Sequence, residues 1–140
     1  MSAPETLQTD YHPTDDEPFM NERQREHFRR KLLLWKEDLL RESRETLATL
    51  QNESENHPDI ADRASSESDR AIELRARDRQ RKLISKIDAA LLRIEEGSYG
   101  YCEDTGEPIS LKRLEARPIA TLSIEAQERH ERREKVYKDE

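Results

Sequence analysis

Two carboxylates, Asp59 and Asp62, stand three residues apart in the stretch His57-Pro58-Asp59-Ile60-Ala61-Asp62-Arg63-Ala64-Ser65. Paired carboxylates can hold Mg²⁺ together with substrate phosphates, and that chemistry would assist cleavage of a phosphodiester. The plainer chemistry is capping, because an Asp before a helix accepts from its free N–H groups. On physical chemistry alone capping ranks first. A second group is Arg75, Arg77, Arg79, Arg81 and Lys82, five basic side chains in eight residues. Such a run is either a solvated helix face or a grip on an acidic rim of a partner, with Arg75 and Arg79 as candidate contacts. Cys102 is the only cysteine, so no internal disulfide can form. It reads as a small packed residue, open to oxidation if exposed.

The elements that position these groups follow from apolar spacing. Phe28, Leu32, Trp35 and Leu39 repeat at intervals of four, three and four, which is a coiled-coil seam. Ile84, Ile87, Leu91 and Ile94 repeat it further on. Phe28 mirrors Ile94, Leu32 mirrors Ala90 and Leu91, Trp35 mirrors Ile87, and Leu39 mirrors Leu83. The chain therefore folds back near position 61, where Pro58 interrupts helix. The predicted architecture is mainly α: a long antiparallel coiled-coil hairpin over 20–96 with its tip at about 57–65. The first helix starts near Met20 or Asn21, with Asn21 as cap, and Leu33, Leu34 and Leu40 widen its apolar face. Gly97 stops the second helix after Glu96. Residues 97–140 form a small globule. Its expected parts are a short hairpin around Asp104-Thr105-Gly106, a helical turn at Leu111–Glu115 ended by Pro118, and a last helix from about Ile124 to Tyr137, capped by Ser123 and packed by Ile124. Tyr99, Tyr101, Ile109, Leu111, Leu114 and Ile119 are its candidate core. Residues 1–19 read as a flexible acidic arm, because the first eighteen hold five acids, three prolines and no Lys or Arg.

Composition limits the function. Ala, Glu, Lys, Leu and Arg make up about half of the chain, charged residues are 41 % and aromatics 5 %. Burial must then come from a narrow helix–helix seam. The net charge of −7 argues against free nucleic-acid binding. No apolar run can span a membrane, and no secretory signal opens the chain. A cytoplasmic location is the expectation.

Three motifs carry a resemblance. Tyr99-Gly100-Tyr101-Cys102-Glu103, Gly106-Glu107-x-Ile109 and Arg113-Leu114-Glu115-Ala116-Arg117-Pro118 form the first. Glu73-Leu74-Arg75-x-Arg77-Asp78-Arg79-x-Arg81-Lys82-Leu83-Ile84 is the second, and Pro58-Asp59-x-x-Asp62-Arg63-Ala64 the third. Together they resemble the DksA/TraR family of bacterial transcription factors, over Met20 to about Tyr137. The resemblance implies a monomeric, non-enzymatic regulator. It would enter the secondary channel of RNA polymerase tip first and act on initiation with ppGpp, without binding DNA. It assigns Asp59, Asp62 and Ala64 to the functional tip. It assigns Leu83, Lys86, Arg117 and Gln127 to ppGpp, with Gln127 standing where better-known members carry lysine. The family's zinc positions, C-x-x-C twice with seventeen residues between, here read Cys102, Thr105, Ser123 and Ala126. One thiolate cannot complete a four-ligand site, so the expectation is a degenerate globule with no cofactor and no zinc. Two other functions compete: a Gre-like accessory to transcript cleavage, and a generic coiled-coil scaffold.

Overall fold

A computed structural model describes residues 11–55 and 60–139, with side chains at 11–49, 51–52 and 67–137. Four helices follow in order: α1 Glu22–Glu55, α2 Ile60–Glu96, α3 Leu111–Ala116 and α4 Ile124–Asp139. The chain divides into two units. One is the coil segment Leu33–Asp88; the other combines the two chain ends, up to Leu32 and from Ala89.

In the coil segment the helices run antiparallel. Lys36 Nζ bonds Asp88 Oδ1 at 2.6 Å, and Ser43 Oγ bonds Gln80 Oε1 at 2.9 Å. The second partner number falls as the first rises, as the mirrored spacing requires. Leu39 and Ile87 are buried. Trp35, expected in the buried seam, is only half-buried. Two helices can enclose one side of an indole but not its whole volume. Leu33, Leu34 and Leu40, expected to widen the seam, are exposed. They lie roughly a third of a turn or more off the seam line, beyond the reach of a single partner helix. Further along, the seam turns polar: Gln80 Nε2 also donates to Glu42 Oε2 at 3.2 Å.

The unit of the chain ends holds most of the burial. Phe28, Leu32, Ala90, Ile94, Tyr99, Ile109, Leu111 and Leu114 are all buried, with the Phe28 and Tyr99 ring centres 5.6 Å apart. α1 begins at Asn21, whose Oδ1 accepts from Gln24 N at 2.8 Å. Gln24 turns back and accepts from Met20 N at 2.7 Å, a variant of the capping box. α2 ends as a Schellman turn: Ser98 N donates to Arg93 O at 2.9 Å and Gly97 N to Ile94 O at 3.3 Å, with Gly97 at φ +84°. The expected hairpin contracts to one antiparallel bridge, Tyr101 with Pro108. Cys102 N donates to Glu107 O at 2.8 Å beside it. Tyr101, expected in the core, is exposed, and Ile119 is half-buried. Tyr101 follows a buried Tyr99 by two residues, yet the intervening Gly100 is left-handed at φ +90°, and the simple alternation fails. Ser110 caps α3 and Ser123 caps α4, through bonds of 3.2 Å to Arg113 N and Ala126 N. α4 packs by Ala126, which is fully buried, whereas Ile124 is exposed.

Residues 11–19, expected to belong to a flexible acidic arm, are packed. Tyr11 is buried, edge-on to His27 at 5.9 Å, and its hydroxyl donates to Glu17 at 2.5 Å. The Arg23 guanidinium lies 4.1 Å from the Tyr11 ring centre. Gln24 Nε2 donates to Thr14 O at 3.3 Å. Phe19 stands edge-on to Tyr101 at 5.3 Å, and a side chain at Gly100 would crowd Phe19 and Met20 at 3.2–3.3 Å. Five acids and three prolines suggested a solvated segment; one buried tyrosine and one fully bonded glutamine hold its second half in place. Residues 1–10 lie outside the described residues.

Candidate functional site

The turn 102–106 and the start of α4 meet at Cys102. Ser123 N donates to the Cys102 sulfur at 3.4 Å, and Cys102 Sγ lies 3.7 Å from Ser123 Oγ. Gly106 N donates to Cys102 O at 2.8 Å, and Glu107 N to Thr105 Oγ1 at 3.2 Å. Burial alone would raise the Cys102 thiol. Donors from Ser123, Thr105 and Asp104 outweigh that burial and pull it down to about 6, because they stabilise the thiolate. Cys102 is buried, as expected of a packed residue. Thr105 is exposed, Ser123 is half-buried, and the Ala126 methyl is fully enclosed.

A second cluster joins α1 to α3. Glu115 accepts from Lys31 Nζ at 2.8 Å and shares a short hydrogen bond with His27. Burial would raise Glu115, but the Lys31 and His27 contacts hold it below the ordinary carboxylate range. Tyr99 hydroxyl donates to Pro118 O at 2.8 Å and ties the end of α3 to the core. Sequence reasoning missed this cluster and Gln24. The only signal for Glu115 was its place in the Arg113–Pro118 motif; nothing local linked it to residues more than eighty positions away.

The proposed ppGpp residues fall in both units. Leu83 is half-buried and Lys86 exposed, three residues apart on α2 in the coil segment. In the other unit Arg117 is the exposed C-cap of α3. Gln127 lies in the first turn of α4 and donates to Glu131 at 3.2 Å. Arg75 and Arg79 are exposed and one turn apart on α2. At the tip, Asp59 lies outside the described residues. Asp62 and Ala64 are placed on α2 by their backbone alone.

Comparison with known proteins converges on one family. The model of "DnaK suppressor protein DksA, N-terminal domain" matches residues 24–94. The model of "Prokaryotic dksA/traR C4-type zinc finger" matches residues 97–132. The RNA polymerase-binding transcription factor DksA of Caulobacter vibrioides is 73% identical over 132 residues, 94% of this chain and 93% of the relative. Its counterpart in Escherichia coli K12 is 46% identical, over 89% of this chain and 83% of the relative. The structure of transcription factor DksA2 from Pseudomonas aeruginosa superposes with a TM-score of 0.80 at 42% identity, covering 95% of this chain and 99% of that one.

The second match corrects the expectation that zinc has no place here: residues 97–132 match a C4-type zinc-finger model. The donor set at the four positions is nevertheless one thiol, two hydroxyls and a methyl. Among the described residues no group of three or more His, Cys, Asp or Glu stands together to hold a metal ion. A structural zinc site takes four ligands, mostly thiolate or imidazole. The residues present do not fit the ion. With an N-terminal model covering the hairpin, a second covering the globule, and relatives matched nearly end to end, this chain belongs to the DksA family.

Proposed function

We propose that this protein is an RNA polymerase-binding transcription factor. The observation that carries the reading is 73% identity to a factor of that name over 94% of the chain. The division into units supports a division of labour. The coil offers length and an exposed basic stripe with Arg75 and Arg79. The unit of the chain ends offers a packed core. In this reading one copy acts in the cytoplasm and makes no direct contact with DNA. The hairpin enters the secondary channel and brings Asp59, Asp62 and Ala64 near the polymerase active site. Carboxylates there change the stability of an initiation complex by hydrogen-bonding or repelling charged groups, without bond-making chemistry. Lys86 and Arg117 supply charge-assisted bonds to the phosphates of ppGpp, and Leu83 and Gln127 are the other residues the family resemblance assigns to it.

The experiment is a core-polymerase pull-down joined to transcription from a sensitive promoter. Asp59→Asn and Asp62→Asn keep capping ability, since Asn caps about as well as Asp. They are expected to bind polymerase normally and to regulate poorly. Normal regulation would reduce the two carboxylates to caps. Release of short RNA from backtracked complexes would favour the cleavage-accessory reading, and absence of binding would leave the scaffold. Lys86→Ala with Arg117→Ala is expected to abolish the ppGpp response.

A further inference from the structure

α1 carries a second stripe that the hairpin does not use. Leu33, Leu40 and Leu47 lie seven residues apart and are 46%, 38% and 40% exposed. Glu37 and Arg44 interleave with them at spacings of four and three, and both are exposed. At about 100° per residue the five positions fall within roughly 80° of arc, about a third of a turn from the buried Leu39. The stripe reads Leu-Glu-Leu-Arg-Leu at the spacing of a coiled-coil seam.

Among the described residues its two charges have no partner: neither Glu37 nor Arg44 makes an ion pair or a hydrogen bond. Of the residues three or four positions from Glu37, only Arg41 is basic, and Arg41 is bonded to Asp38 at 2.5 Å. The residues at those distances from Arg44 are Leu40, Arg41, Leu47 and Ala48, none of them acidic.

The pattern is self-complementary in one orientation. If two copies lie antiparallel about Leu40, Leu40 meets its own counterpart and Leu33 meets Leu47. Glu37 then falls one residue, about 1.5 Å along the axis, from the position opposite Arg44, within reach of the two long side chains, once on each side of the two-fold axis. A parallel pairing sets Glu37 against Glu37 and Arg44 against Arg44, which is repulsive. We propose that the outer face of α1 is a weak self-association surface, on which a second copy of this chain pairs antiparallel through Leu33, Glu37, Leu40, Arg44 and Leu47. Three leucines a side make a small patch, well under the roughly 1,200 Å² of stable interfaces, so the pairing is reversible and concentration-dependent. It would cover one face of the coil in free protein and be lost when a single copy engages polymerase.

The test is sedimentation velocity on the full chain at concentrations up to about 1 mM, the weak limit for so small a patch. Wild type is expected to shift from one-copy to two-copy mass with concentration. Glu37→Arg leaves two like charges on the stripe, as does Arg44→Glu. Each variant alone is expected to lose the shift while keeping wild-type helicity and melting, because neither side chain has a partner among the described residues. An equimolar mixture of the two restores opposite charges at both contacts and is expected to recover the two-copy species. The double variant Glu37→Arg/Arg44→Glu is expected to pair like wild type. The proposal is overturned if wild type stays single throughout. It also fails if the single variants associate unchanged or their mixture stays single.

Discussion

The two units are built on opposite terms. Among the described residues, the unit of the chain ends encloses Tyr11, Met20, Gln24, Phe28, Leu32, Ala90, Ile94, Tyr99, Cys102, Ile109, Leu111, Leu114 and Ala126. Among its described side chains the coil segment encloses Leu39 and Ile87 alone. What replaces burial along the coil is a set of polar pairs, Lys36 with Asp88, and Gln80 with Ser43 and Glu42. Exposed pairs of this kind contribute little net stability, about 0–1 kcal/mol each. Apolar burial contributes about 25 cal/mol per Å². The difference teaches that the unit of the chain ends is the stable part of the fold. Local opening of the coil segment should cost far less than global unfolding.

The sharpest way to break that comparison is a deletion in the packed unit. Phe28→Ala removes a fully buried ring against Tyr99, and is expected to cost about 3–5 kcal/mol in denaturant unfolding. A loss below 1 kcal/mol would mean that the core is not where the enclosed residues are. Next comes Gln24→Ala, which strips the partners of Met20 N and Thr14 O. A stability loss of about 1–3 kcal/mol is expected, with the segment 11–20 becoming protease-sensitive. Unchanged proteolysis would show that Tyr11 alone holds the segment. In the coil, Trp35→Ala is expected to cost only about 0.8–1.5 kcal/mol, half the transfer free energy of a fully buried side chain. A value matching Phe28→Ala would erase the contrast between the units.

The smallest effect is a pH dependence. Glu115 has a folded pKa below its ordinary value. Its contribution is therefore present above the ordinary carboxylate pKa and is lost as pH falls through the lowered folded value. For a partly exposed pair this amounts to less than about 1 kcal/mol. Melting temperatures of wild type and Glu115→Gln should differ near neutrality and converge in acid. A gap that widens on acidification would reverse the assignment.

Some of this was legible in the sequence because it is periodic or local. The seam at Phe28, Leu32 and Leu39, the antiparallel fold-back, the stop at Gly97 and the caps Asn21 and Ser123 follow from spacing and short-range hydrogen bonding. The family motifs also lie within short stretches, so the positions Cys102, Thr105, Ser123 and Ala126 could be assigned before their surroundings were known. Their metal chemistry was another matter: the second family model overturned the expectation about zinc, while the structure supplied only one thiol.

What tertiary structure alone decided is which apolar and charged groups become interior. Leu34 and Leu32 are the same residue type two positions apart, yet one is exposed and the other enclosed, because a helix presents only one stripe to a partner. Tyr11 and Gln24 left no periodic trace; their burial depends on the chain folding back over the start of α1. The contact of His27 and Lys31 with Glu115 joins positions separated by 88 and 84 residues. No local rule relates such positions, since a charged side chain in sequence carries no record of what the fold will place opposite it. Periodicity determines a hairpin; only packing in three dimensions determines which of its side chains meet the two chain ends.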